Sequence, residues 1–156
     1  MQRDFAGVSF DSVATIEPER NERGQVLAFM PQNRYAKAAT TPLNPHGQGP
    51  FTRFSLGSGD HRAGVYIVTL NSHPVYVGKC ADFARRWGPM GYGSISPKNC
   101  YVGGQSTNCK VNNKVYLHAS AGDQLNVWFR PLDDPGPLER KLVLALRPSW
   151  NAQIPG

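Results

Sequence analysis

A chain of 156 residues has the length of one compact domain and can bury a core without disulfides or a structural metal. Its formal charge of +6 comes from 17 Lys and Arg against 11 acids, with only 18% of residues charged, and this balance favours a polyanionic partner such as nucleic acid. No apolar run approaches the ~20 residues of a membrane-spanning helix, and three cysteines without a CxxC pair or an apolar leader point to a cytoplasmic chain that is neither membrane-inserted nor disulfide-built.

Residues 1–61 are rich in Pro, Gly, Asn and Arg and carry two short strand candidates, Val26 to Met30 and Phe51 to Leu56. Pro42, Pro45, Gly47, Gly49 and Pro50 mark a turn-rich stretch between them. So loop-rich a segment holds no core of its own. It is expected as an extension that packs on the following domain, wraps a partner subunit or touches substrate.

From Gly64 the pattern sharpens into a domain spanning 62–156. Val65 to Leu70 and Val75 to Gly78, separated by a turn at Asn71 to Pro74, predict a β-hairpin of β-branched and aromatic residues. Residues 81–87 suit a short helix stopped by Gly88-Pro89. After a glycine-rich polar loop, Ser106 and Thr107 offer N-caps for a helix over about 108–121, ended by Gly122. Leu125, Val127 and Phe129 alternate with polar or amphipathic neighbours as a third strand, and Pro135-Gly136-Pro137 opens a last helix that buries Leu138, Leu142 and Leu146. The predicted fold class is α+β, a three-stranded antiparallel sheet flanked by helices.

Within this frame Gly64-Val65-Tyr66 and Tyr76-Val77-Gly78, followed by Lys79 and by Arg86-Trp87, resemble the defining motifs of the GIY-YIG nuclease family. In that family an Arg lies on the helix after the second motif, a Glu near the start of a later helix and an Asn shortly beyond it. Arg86, Glu139 and Asn151 fall on those positions, and the resemblance covers about residues 62–152. It implies an endonuclease that hydrolyses DNA phosphodiester bonds with Mg2+ or Mn2+, in form similar to stand-alone bacterial and phage enzymes, restriction enzymes among them. Where several members carry a His after the helix Arg, this chain has Met90, with Tyr92 nearby. The general base is therefore left among Tyr66, a metal-bound hydroxide and the Tyr92 loop.

The residues suit that chemistry individually. Tyr66 and Tyr76 lie on paired strands and would converge on one phosphate if the register sets them on one face. Their flanking glycines, Gly64 and Gly78, would let a bulky backbone such as DNA approach. Arg86 offers a planar fork for two phosphate oxygens, and Arg85, about 100° around the helix, cannot face the same point. Lys79 is a second candidate, either to anchor the phosphate or to favour the ionised form of Tyr66. Glu139 is the candidate Mg2+ ligand, since one carboxylate with phosphate oxygens and waters commonly suffices. Asn151 is expected to bond near the metal or to hold Glu139.

The stretch from Ser96 to Asn113 is dense in amides and hydroxyls, and Tyr92, Asn99, Gln105, Ser106, Thr107, Asn108 and Asn112 are candidate DNA contacts. Cys100, Cys109 and His118 look like a metal set. A helix between the last two would separate their starting points by ~13 Å, so packed thiols are the better reading. A site that cuts one strand at a time needs a homodimer or two sequential events for a double-strand break, with the extension as a candidate dimer contact. The alternatives are a nucleic-acid-binding module with little cleavage and a nuclease directed at RNA or damaged DNA.

Overall fold

The computed structural model describes residues 1–151; residues 152–156, part of the expected 62–156 domain, lie outside the described residues. The protein is α+β, with five antiparallel strands in one sheet. The strands are β1 (Gln2–Phe5), β2 (Val8–Thr15), β3 (Gly64–Leu70), β4 (His73–Cys80) and β5 (Leu125–Pro131), in the order β1-β2-β5-β3-β4. Helices α1 (Phe83–Arg86), α2 (Ser106–Ser120) and α3 (Gly136–Leu146) complete the set, with short 3-10 turns at Pro31–Arg34 and Pro97–Cys100.

The expected three-stranded sheet is corrected to five strands. Ala6 and Gly7, both at positive φ, form a two-residue turn that pairs β1 with β2, and β2 in turn pairs with β5. Phe5 is the one apolar residue of β1, and in β2 the alternation of Val8 and Phe10 breaks at the register shift between Ser12 and Ala14, which hid both strands. The β3–β4 hairpin turns at Asn71 and Ser72, again at positive φ, so β4 begins two residues earlier than its apolar pattern suggests and takes in Pro74. Proline is tolerated because β4 is an edge strand and the register shifts at that point.

By contact the chain forms two compact units. One comprises Met1–Ile16, Leu56–Arg86 and Asp123 onward; the other comprises Glu17–Ser55 and Trp87–Gly122. Residues 1–61, expected as one extension, are thus shared between both.

In the sheet unit one face carries Phe5, Phe10, Val65, Ile67, Val77 and Trp128, and α3 lays Leu142 and Val143 on it. The Trp128 indole, buried among them, donates to Thr69 Oγ1 at 3.0 Å, so the polar tip of the largest core residue is satisfied. The other face carries Tyr66, Tyr76 and Phe129, with Phe83 of α1 stacked on Phe129 at 4.2 Å. The predicted helix over 81–87 is a single turn, capped by Asp82, whose Oδ1 accepts the Arg85 N–H at 3.0 Å.

In the second unit the strand candidates reduce to isolated bridges, Arg20 with Val26 and Phe29 with Phe51. The unit is organised around α2, which begins at Ser106 with Gln105 as its cap residue; the two expected caps, Ser106 and Thr107, are already helical. Phe51, Ile95, Cys100, Tyr101 and Cys109 form its apolar core. Among the described residues no helix is long and apolar enough to cross a membrane.

Candidate active site

Antiparallel pairing sets Tyr66 opposite Gly78 and Val68 opposite Tyr76, so the two tyrosines project from the same face on adjacent strands. Their ring centroids are 6.2 Å apart. The turn of α1 then brings Arg86 back over β3, where its Nη1 donates to the Tyr66 hydroxyl oxygen and to the Lys79 carbonyl, each at 3.3 Å. Arg85 is exposed. The phenol oxygen is the acceptor in the first bond, so the Tyr66 proton points away from Arg86. Three motif positions spread over the chain from 66 to 86 therefore meet at one point.

The glycines of the two motifs have a different task from the one expected. A Cβ on Gly78 would run into the Tyr66 ring, whose Cε2 would lie only 2.6 Å away, with Cζ and the hydroxyl oxygen nearer still. A Cβ on Gly64 would meet the Arg130 carbonyl and, at 2.6 Å, Phe129 Cε1. Both glycines make room for the protein's own aromatic rings, not for an approaching DNA backbone.

Burial separates the tyrosines from the charged groups. Tyr66 is 0% exposed and Tyr76 7%, whereas Arg86 is half-buried and Lys79 exposed. A groove of about 360 Å³ opens beside the end of β4, lined among others by Lys79, Cys80, Arg86, Asp133, Asp134 and Gly136. Asp133 and Asp134 read as turn residues in the sequence. They reach the groove because Leu132, the residue after β5, donates its N–H to the Ala63 carbonyl and returns the chain to the end of the hairpin. Cys80 is buried, and that burial pushes its thiol up to about 11 against the opposing pull of the Arg86 charge.

Glu139 stands half-exposed in the first turn of α3, and its carboxylate makes no ion pair or hydrogen bond among the described residues. The helix that carries it, α3, packs Leu142 and Val143 on the face opposite the tyrosines and contacts β4. No cluster of three metal-ligating side chains occurs among the described residues. A single uncommitted carboxylate nonetheless fits Mg2+, which binds commonly through one or two carboxylates with water and phosphate oxygens.

Asn151, expected near the metal or holding Glu139, commits its amide to the backbone of β4. Its side chain accepts the Val77 N–H at 3.0 Å and donates to the Val77 carbonyl at 2.9 Å, while the Trp150 N–H bonds to the Val75 carbonyl. Residues 150 and 151 thereby bond the free edge of β4 at Val75 and Val77 with side-chain and backbone hydrogen bonds.

The expected DNA-contacting residues lie in the other unit, and most are turned inward. Asn112 is 0% exposed, accepting the Thr52 N–H at 2.8 Å and donating to the carbonyls of Thr52 and Tyr92. Asn108 is buried against Gln105 Oε1, Asn99 Oδ1 accepts the Gln105 N–H, and Tyr92 is enclosed edge-on against Trp87. Buried amides that complete the fold are not presented to base edges; of this set Gln105 and Thr107 are exposed and Asn99 and Ser106 half-exposed. The Cys100 and Cys109 thiols pack together in the core, where the Cys109 thiol donates to the Asn99 carbonyl at 3.1 Å. Comparison of the chain with protein-family models, with curated proteins and with solved structures gave no match.

Proposed function

We propose that the sheet unit is a divalent-metal-dependent endonuclease of GIY-YIG type that hydrolyses DNA phosphodiester bonds. The observation that carries this reading is the Arg86 to Tyr66 hydrogen bond beside Tyr76, which gathers the two tyrosine motifs and the helix arginine into one cluster. In this reading a water oxygen attacks phosphorus, the bond to one ester oxygen breaks, and that oxygen leaves protonated. Arg86 and Lys79 hold the phosphate and offset the charge that builds on its oxygens. Glu139 would hold Mg2+, or Mn2+ in its place, which when bound supplies Lewis-acid polarisation of the phosphate. Tyr66, being enclosed, is a positioning residue that orients Arg86, and Tyr76 supports it from the adjacent strand. Site-specific, restriction-type cutting is the proposed form of the activity, with two chains or two sequential cuts needed for a double-strand break.

The test is nicking of supercoiled plasmid with Mg2+, compared with EDTA and with Arg86→Ala and Glu139→Ala. Wild type is expected to nick only with metal, and each variant to lose about 100-fold or more. Equal nicking by wild type and Glu139→Ala would refute the metal assignment. Binding without cleavage of any DNA or RNA would favour the binding-module reading, which the enclosure of Tyr66 also suits.

A further inference from the structure

The positive charge is unevenly divided between the two units. Residues 17–55 and 87–122 hold eight Lys and Arg against three acids, a balance of +5, whereas the sheet unit holds nine against eight. The three acids, Glu17, Glu19 and Glu22, fall close together; residues 23–55 and 87–122 hold seven cations and no Asp or Glu, where the chain's overall share of acids would place about five. A stretch so depleted of carboxylates projects a positive field.

Part of that charge is concentrated on one helix face. Lys110 and Lys114 lie about one turn apart on α2, ~6 Å along its axis. The neighbouring loop is tied to the same helix, since Asn113 Nδ2 donates to the Pro50 carbonyl at 2.8 Å and Asn112 Nδ2 to the Thr52 carbonyl at 2.9 Å. Exposed His46 belongs to that loop, its own N–H bonded to Asn44 Oδ1, while the Asn44 amide donates to the Asn99 carbonyl. Partial desolvation, then the charges of Lys110 and Lys114, hold the His46 imidazole below its ordinary range. Three cationic or cation-capable groups from two segments thus share one surface.

We infer that the face formed by Lys110, Lys114 and His46 binds the phosphate backbone of duplex DNA. Duplex DNA, rather than another polyanion, is taken from the nuclease reading above. Spaced cations on a helix suit successive phosphates, and with Asn108 and Asn112 turned inward this face positions the duplex without reading its bases.

The test measures binding of the whole chain to a fluorescein-labelled duplex by anisotropy across a KCl series, in EDTA so that no metal-dependent cleavage occurs. Lys110→Gln with Lys114→Gln is expected to flatten the slope of log affinity against log salt by about 1.8, and Lys114→Gln alone by about half of that. Arg140→Gln with Lys141→Gln removes the same charge from the sheet unit and is expected to change the slope by less than about 0.5. Circular dichroism confirms that each variant is folded. An unchanged slope in the Lys110/Lys114 variant, an equal loss in the Arg140/Lys141 variant, or tighter binding of single-stranded RNA than of duplex would overturn the inference. Plasmid nicking with unaltered binding in the Lys110/Lys114 variant would refute this inference and spare the nuclease reading; salt-dependent binding through this face without nicking would do the reverse.

Discussion

Replacing Gly78 by Ala adds one methyl group at the point where the structure has least room for it. The new Cβ would be driven into the Tyr66 ring, 2.6 Å from Cε2 and nearer to Cζ and the hydroxyl oxygen. The ring cannot swing away cheaply. It is fully buried, its hydroxyl is held by Arg86, and Phe83 stands edge-on at 6.4 Å. Nor can the backbone at 78 withdraw, being paired to Tyr66 across the hairpin. Overpacking of a dense core costs about 1–3 kcal/mol, and the rigidity of this ring argues for the upper end, ~3 kcal/mol. For a chain of this size that corresponds to a Tm lower by roughly 6–12 °C. Urea titration followed by circular dichroism measures it. Gly59→Ala, where a Cβ would meet nothing within 4 Å, is the control and should be neutral or slightly stabilising. Combining Gly78→Ala with Tyr66→Ala should recover about 1–3 kcal/mol relative to additivity, because the second change removes the ring that the methyl strikes. If Gly78→Ala is as stable as wild type, or if the two changes simply add, the packing account of this glycine fails.

Three further expectations follow from the same geometry. Asn151→Ala removes both bonds to Val77 and reopens the edge of β4, a loss of about 1–3 kcal/mol that denaturation should show, with faster amide exchange at Val77; unchanged exchange there would dismiss the clamp. Asn112→Ala strips three hydrogen bonds from a fully buried position and leaves the Thr52 N–H unpartnered, so about 2–4 kcal/mol should be lost, and a cost below about 0.5 kcal/mol would refute its cross-linking role. Cys80 gives a pH dependence: its thiol is raised from 9.0 to about 11, so between those values the unfolded chain has lost a proton that the folded chain retains. Stability should therefore fall as pH rises past about 9, and Cys80→Ala should fall less steeply in urea titrations at pH 8 and 10; parallel curves would remove Cys80 as the cause.

Local signals in the sequence sufficed for much of the sheet unit. The β-branched and aromatic runs Val65 to Leu70 and Val75 to Gly78 and the alternation of Leu125, Val127 and Phe129 mark three strands, and the Leu138, Leu142, Leu146 spacing marks α3, because composition and periodicity are properties of neighbours along the chain. The 100° offset between Arg85 and Arg86 likewise follows from helix geometry alone, and it is Arg86 that turns to Tyr66. Only the tertiary structure decided what those residues meet. That β1 and β2 extend the sheet depends on pairing with β5, more than a hundred residues away; that Gly78 serves Tyr66, that Asn151 seals β4, and that Asn112 binds Thr52 and Tyr92 depends on which distant groups arrive beside them. An amide or a glycine looks the same in sequence whether it faces solvent, a ligand or the protein's own interior, because its role is set by the partners that folding brings within hydrogen-bond or van der Waals reach.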